Sequence, residues 1–130
     1  MSQPLTFVTP PPGLEPQVHY LLEEVDGAVG LFSLVPREPG SGVSRLFLLD
    51  AAAYLPGYAP RISHDQQRML GLREPSEAWV LVVANPAVSG TTVNLLAPIV
   101  LNSSTGQCAQ LILEGQDWPL RASLEDFAAA

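Results

Sequence analysis

His19, His64 and Cys108 are the side chains of this chain that most readily hold a metal or move a proton. They stand far apart, without Cys-x-x-Cys or His-Glu-x-x-His spacing beside them, so each histidine is expected at the surface and no metal site is expected. Ser63-His64-Asp65 spells the residue types of a hydrolytic triad. A triad works because its groups converge from separate elements, whereas sequence neighbours at a helix start point apart, so the run reads as a helix cap. Glu23, Glu24 and Asp26 would do acid–base work only if one carboxyl were desolvated, and Asp26-Gly27 is a turn signal that keeps them wet. Gly40-Ser41-Gly42 lacks the lysine and following helix that cradle a phosphate. Cys108, the single cysteine, has no base or cation beside it and no partner for an internal disulfide, so it reads as a small apolar filler. The residues thus point to binding rather than to catalysis, and no cofactor is expected.

The elements that would carry these residues are mostly strands. In Gln17 to Leu22, Val18, Tyr20 and Leu22 alternate against Gln17, His19 and Leu21, and the Asp26-Gly27 turn leads to a second hairpin arm over Ala28 to Val35. Pro36 to Gly42 is loop by composition, and Arg45 to Leu49 is the next strand. Ser63 to Leu72 is the one helix expected, with Ser63 and Gln66 spaced as a capping box and Gly71 near its end. Ala78-Trp79-Val80-Leu81-Val82-Val83, within Glu77 to Asn85, is apolar on both faces and therefore central. After the Asn102 to Gly106 turn, Cys108 to Leu113 pairs back as a hairpin. Many short strands with one short helix predict a mainly β fold, a small open antiparallel barrel or roll. Residues 1–121 are expected to form one domain and residues 122–130 a flexible tail.

Between the central strand and the last hairpin runs Thr91-Thr92-Val93-Asn94-Leu95-Leu96-Ala97-Pro98-Ile99-Val100-Leu101-Asn102. Proline donates no backbone hydrogen bond, so this run is expected to be an edge strand or to carry a bulge. Alternation assigns Leu95, Ala97, Ile99 and Leu101 to the core, and Asn94, Leu96, Pro98, Val100 and Asn102 to the other face. That second face, apolar between two amides, suits either a protein partner or a layer of the domain itself.

Of the 130 residues, 13 are acidic and 6 basic, all six arginine, giving a net charge of -7. Such a surface repels nucleic acid and favours basic protein partners. A single-stranded nucleic-acid binder, the alternative that small β-barrels offer, would need a basic groove that the composition does not supply. Charges, prolines and glycines interrupt every apolar run, so no membrane span is expected. Met1-Ser2-Gln3-Pro4 has no signal-peptide character, which sets the expected location as the cytoplasm.

Asn94-Leu95-Leu96-Ala97-Pro98-Ile99-Val100-Leu101-Asn102, followed by Gln110-Leu111-Ile112-Leu113, resembles the signature of the flagellar assembly factor FliW family. Leu46-Phe47-Leu48-Leu49-Asp50, Tyr54-Leu55-Pro56-Gly57-Tyr58 and the turn Pro12-Gly13-Leu14 are similar to further stretches of that family, so the resemblance runs from about Leu5 to Leu120. Some positions depart from the family pattern: Pro10 and Pro11 in the turn, Ala51 after Asp50, Trp118 where a tyrosine is usual, and only Met1 to Pro4 ahead of the first matched strand. The resemblance implies a monomeric β protein that acts as a chaperone-like regulator of flagellum biogenesis. It implies binding to CsrA, an RNA-binding repressor of flagellin translation, alternating with binding to flagellin itself. On the same ground, Asp50, Tyr58, Asn94, Leu96, Pro98 and Asn102 are the expected partner-binding residues.

Overall fold

The computed structural model describes residues 2–9, 18–37, 45–55, 57–113 and 115–124. The expected Pro12-Gly13-Leu14 turn with Pro10 and Pro11, Gln17, the Gly40-Ser41-Gly42 part of the loop, Pro56 and residues 125–130 lie outside them.

β1 (Ser2–Phe7), β2 (His19–Glu24), β3 (Leu31–Pro36) and β4 (Leu46–Asp50) follow one another as an antiparallel meander. β5 (Ala78–Asn85) pairs with β4 along one edge and with β7 (Ile99–Asn102) along the other. β7 turns through the expected hairpin into β8 (Gln107–Gln110), and β8 meets β1 in a parallel pairing, Thr6 opposite Gln107 and Phe7 opposite Cys108. This is the mainly β barrel expected, although the β4–β5 pairing and the parallel β1–β8 pairing close it into a ring where an open antiparallel barrel is expected. β6 (Thr92–Val93) continues along β5 beyond β7, and β9 (Ala122–Ser123) pairs with β6.

Alternation sorts the side chains into an inside and an outside. Leu5 and Phe7, Tyr20 and Leu22, Leu48, Leu81 and Ile99 meet in the barrel interior, where the Phe7 and Tyr20 rings pack edge to face at 5.2 Å. Their sequence neighbours point outward and are covered too: Leu49, Val82 and Ala84 by the 93–97 and 113–122 segments, Val100 and Ala109 by Leu70 and Leu72. A strand buried on both faces must be apolar throughout, which is why β5 carries the least interrupted apolar run.

Two short helices pack on the outside. α2 (His64–Met69) has the capping box expected: Ser63 Oγ accepts from Gln66 N at 3.1 Å, and Gln66 Oε1 accepts from Ser63 N at 2.9 Å. α1 (Ala51–Tyr54) was not expected; Asp50 ends β4 and also caps this turn through Oδ1, which accepts from Ala52 N at 3.1 Å.

Two expectations are corrected. The Pro98 run is neither one continuous strand nor an edge, because β7 lies between β5 and β8 and Pro98 falls just before it, in a turn where no ladder donor is missed. Residues 122–123 belong to the sheet rather than to a tail, since Ala122 is buried opposite Val93; just beyond them Leu124 N donates to Thr91 O at 2.9 Å.

Candidate functional site

The candidate residues are organised by the segment from Asn94 to Pro98, which bridges β6 and β7. Asn94 N donates to Val83 O of β5, and its Oδ1 accepts from both Leu96 N (3.1 Å) and Ala97 N (3.0 Å). A short amide that mimics a backbone carbonyl in this way folds the chain into a local turn. The carbonyls of that turn are taken up by neighbours: Leu96 O by Leu113 N, Pro98 O by Leu111 N, and Ala97 O by Gln110 Nε2. Leu95 O accepts from Tyr58 Oη at 2.6 Å, within the buried outer cluster. Burial pushes the Tyr58 phenol well above its ordinary value, so it stays protonated and remains a donor. Its ring packs edge to face on Trp118 at 4.8 Å, so Trp118 supplies the aromatic contact at its position.

Asn102 closes the other end. Its Nδ2 donates to Leu70 O at 2.9 Å, tying the end of α2 to β7, while Oδ1 accepts from Ser104 N in the β7–β8 turn. Tyr58, Pro98 and Asn102 are thus buried, whereas Asp50, Asn94 and Leu96 are half-buried and keep some surface. Tyr58 and Asn94 meet at the Leu95 turn; Asp50 sits at the start of α1, and Asn102 is held instead by α2 and the last hairpin. On the second face assigned to this run, Val100 is wholly buried in the cluster beneath α2, the covering layer that alternation could not distinguish from a partner.

The groups that could have done chemistry are engaged otherwise. Cys108 is wholly buried in the barrel, and burial pushes its thiol up to about 12. Ser63 is a cap, Asp65 pairs with Arg68 at 3.3 Å on the surface, and exposed His19 stands 3.3 Å from Thr6 Oγ1. Among the described residues, no three His, Cys, Asp or Glu side chains gather as a metal site, and no helix is long and apolar enough to cross a membrane.

Sequence reasoning missed an apolar groove of about 310 Å3 on the outer face of β3, β4 and β5, lined by Leu31, Phe47, Leu49, Tyr54, Ala84 and Leu124 among others. The available signal was β4 itself: Leu46-Phe47-Leu48-Leu49 is apolar at consecutive positions, so its outward side chains also need cover.

Residues 1–124 match the model of the FliW protein family. The chain is 32% identical over 85 residues to the flagellar assembly factor FliW of Heliobacterium modesticaldum, covering 64% of this chain and 56% of that protein. It is 29% identical over 115 residues to the protein of the same description from Campylobacter lari, covering 87% and 77%. Against several of these curated relatives the matched stretch spans about half of the relative's length, 51% for that of Moorella thermoacetica. A crystal structure of the flagellar assembly factor FliW superposes with a TM-score of 0.83 at 20% identity over 93% of this chain and 84% of that one, the same fold. The family model covers nearly the whole length and the fold agrees with it: the chain belongs to the FliW family.

Proposed function

We propose that this protein serves flagellum assembly by binding two protein partners in turn, a CsrA-type translational repressor and flagellin. The observation that carries the reading is the family match over residues 1–124, joined to relatives described as flagellar assembly factors. In this scheme free flagellin occupies the protein and leaves the repressor active; export of flagellin frees the protein to inactivate the repressor. Such a homeostat requires two ligands whose occupancies are negatively coupled, and it requires no cofactor or bond-making step. The protein works in the cytoplasm, where both partners are made, as a monomer when free.

Asp50, Tyr58, Asn94, Leu96, Pro98 and Asn102 form the proposed partner-binding set, in two roles. Asp50, Asn94 and Leu96 retain surface for contact, while buried Tyr58, Pro98 and Asn102 hold the 94–102 segment in the shape that a partner reads. A net charge of -7 favours a basic partner and opposes direct contact with RNA.

A low-salt gel-shift titration with flagellin leader RNA tests the scheme. The protein alone leaves the RNA unshifted; added to repressor–RNA complex it releases the RNA, and flagellin reverses the release. A shift by the protein alone favours the single-stranded nucleic-acid alternative. Measurable repressor binding without RNA release sinks the antagonism.

A further inference from the structure

Residues 61–77 hold three of the chain's six arginines, Arg61, Arg68 and Arg73, with His64 among them, on a protein of net charge -7. Three acids share the stretch, and each is engaged. Asp65 pairs with Arg68 at 3.3 Å, Glu77 Oε1 accepts from Arg73 N at 2.6 Å and from Glu74 N at 3.2 Å, and Glu74 Oε2 accepts from Ser76 Oγ at 3.0 Å. Among the described residues, no acid pairs with the guanidinium of Arg61 or of Arg73.

Those two arginines line one cleft of about 610 Å3 with Pro60, Ile62, His64, Gln67 and Glu74. Two guanidiniums against one carboxyl leave the lining positive, while Pro60 and Ile62 give it an apolar wall. Both arginines are exposed, yet their main chain is anchored. Gln116, from 55 positions away, grips Arg61 on both sides: its Oε1 accepts from Arg61 N at 2.8 Å and its Nε2 donates to Arg61 O at 3.0 Å. Buried Gln67 ties the neighbouring Ile62 to α2, its Nε2 donating to Ile62 O at 3.0 Å, and Glu77 holds Arg73 N. Charged heads on fixed roots lower the ordering cost of binding.

We propose that this cleft docks an acidic peptide segment of a protein partner, with carboxylates on Arg61 and Arg73 and an apolar side chain against Pro60 and Ile62. The guanidinium fork matches a carboxylate bidentately. An inorganic anion would leave the apolar wall uncovered. The overall negative charge opposes a long polyanion such as RNA, whereas a short segment responds to the charges within a Debye length, about 8 Å at physiological salt. None of the proposed partner-binding residues lines the cleft, so it is a second surface whose test stands apart from repressor or flagellin binding.

NMR titration of the full chain with a capped hexapeptide alternating glutamate and leucine tests the proposal. The amide resonances of Ile62, His64, Gln67 and Arg73 should shift saturably, while those of Val83 and Leu34 in the barrel stay in place. Arg61→Gln combined with Arg73→Gln should weaken binding at least about tenfold, because two charge-assisted contacts are lost. The double variant should keep the unaltered thermal midpoint, since both side chains are exposed. The same peptide with glutamine in place of glutamate should not saturate the protein. No saturable shift at millimolar peptide, equal affinity in the double variant, or equal affinity for the glutamine peptide each overturn the proposal. Inorganic phosphate or single-stranded RNA moving the same resonances at concentrations as low as the peptide also overturns it, by identifying a different anion as the ligand.

Discussion

Asn94 accepts two backbone hydrogen bonds through one oxygen, and its amide matters to the fold before it can matter to any partner. Replacing it with alanine strands the Leu96 and Ala97 N–H groups in a half-buried turn, a loss of about 1–3 kcal/mol. Asn94→Asp keeps the acceptor and should restore most of that stability in a urea titration. If the alanine variant unfolds at the unaltered midpoint, the turn does not depend on the side chain. Cys108 gives a residue-scale prediction of another kind. Burial holds its thiol protonated up to about 12 in the folded chain against an ordinary value of 9.0. Between those two values the unfolded chain has lost the proton and the folded chain keeps it, so unfolding releases a proton and rising pH favours the unfolded state. The thiol's contribution to stability is therefore complete below about 9 and is lost progressively towards about 12. Denaturant midpoints measured across that range in the unaltered protein and in Cys108→Ala should diverge, with the unaltered protein falling faster; parallel curves would show that the thiol does not stay protonated.

Among the elements, those that depend on neighbours in sequence were legible and those that depend on distant partners were not. The α2 cap, the β2–β3 hairpin and the β7–β8 hairpin follow from side chains and turns within a few residues of one another, and each forms, although β2 (His19–Glu24) and β3 (Leu31–Pro36) run later than the Gln17 to Leu22 and Ala28 to Val35 expected. The Pro98 run was misread because its missing N–H was charged to a ladder, whereas Asn94 breaks the run into a turn before the ladder begins. Of the candidate site, the residues were visible as a motif, yet their division into buried supports and surface was not. The bond from Tyr58 to Leu95 joins positions 37 residues apart, and the burial of Asn102 depends on the end of α2. The β1–β8 seam was equally hidden, although Gly106 marks it. Its φ is +81°, and a Cβ there would stand 2.9 Å from Pro4 O, a backbone atom that cannot swing away. Gly106→Ala should therefore cost more than the ~1 kcal/mol of an unhindered left-handed glycine position. Gly27→Ala, also at positive φ but with nothing within 4 Å, is the matched comparison. Equal losses in the two variants, read from thermal or urea unfolding, would mean that the seam yields.

At the scale of the whole molecule, three apolar clusters share their strands. β5 places Leu81 inside the barrel, Val82 and Ala84 in the outer cluster with Tyr58 and Trp118, and Ala78 against the cluster beneath α2. None of the three can lose its packing while β5 keeps its place, and β5 is held by β4 on one side and by β7 and β6 on the other. The molecule should therefore unfold as one cooperative unit, including the β6–β9 extension that lies outside the ring. Two tryptophans report on different parts of it. Trp79 packs on the interior core, edge to face with Phe32 at 5.3 Å, and Trp118 packs in the outer cluster against Tyr58. Trp118→Phe leaves fluorescence from the barrel alone, and Trp79→Phe leaves it from the outer layer alone. Within each variant, the urea midpoint from fluorescence should coincide with that from far-ultraviolet circular dichroism, whatever stability the substitution itself removes. Comparing the two probes inside one variant cancels that loss and isolates cooperativity. Should the Trp118 signal collapse at lower urea than the circular dichroism of the same Trp79→Phe sample, the outer layer peels from a barrel that survives without it, and the sharing of β5 does not bind the clusters into a single transition.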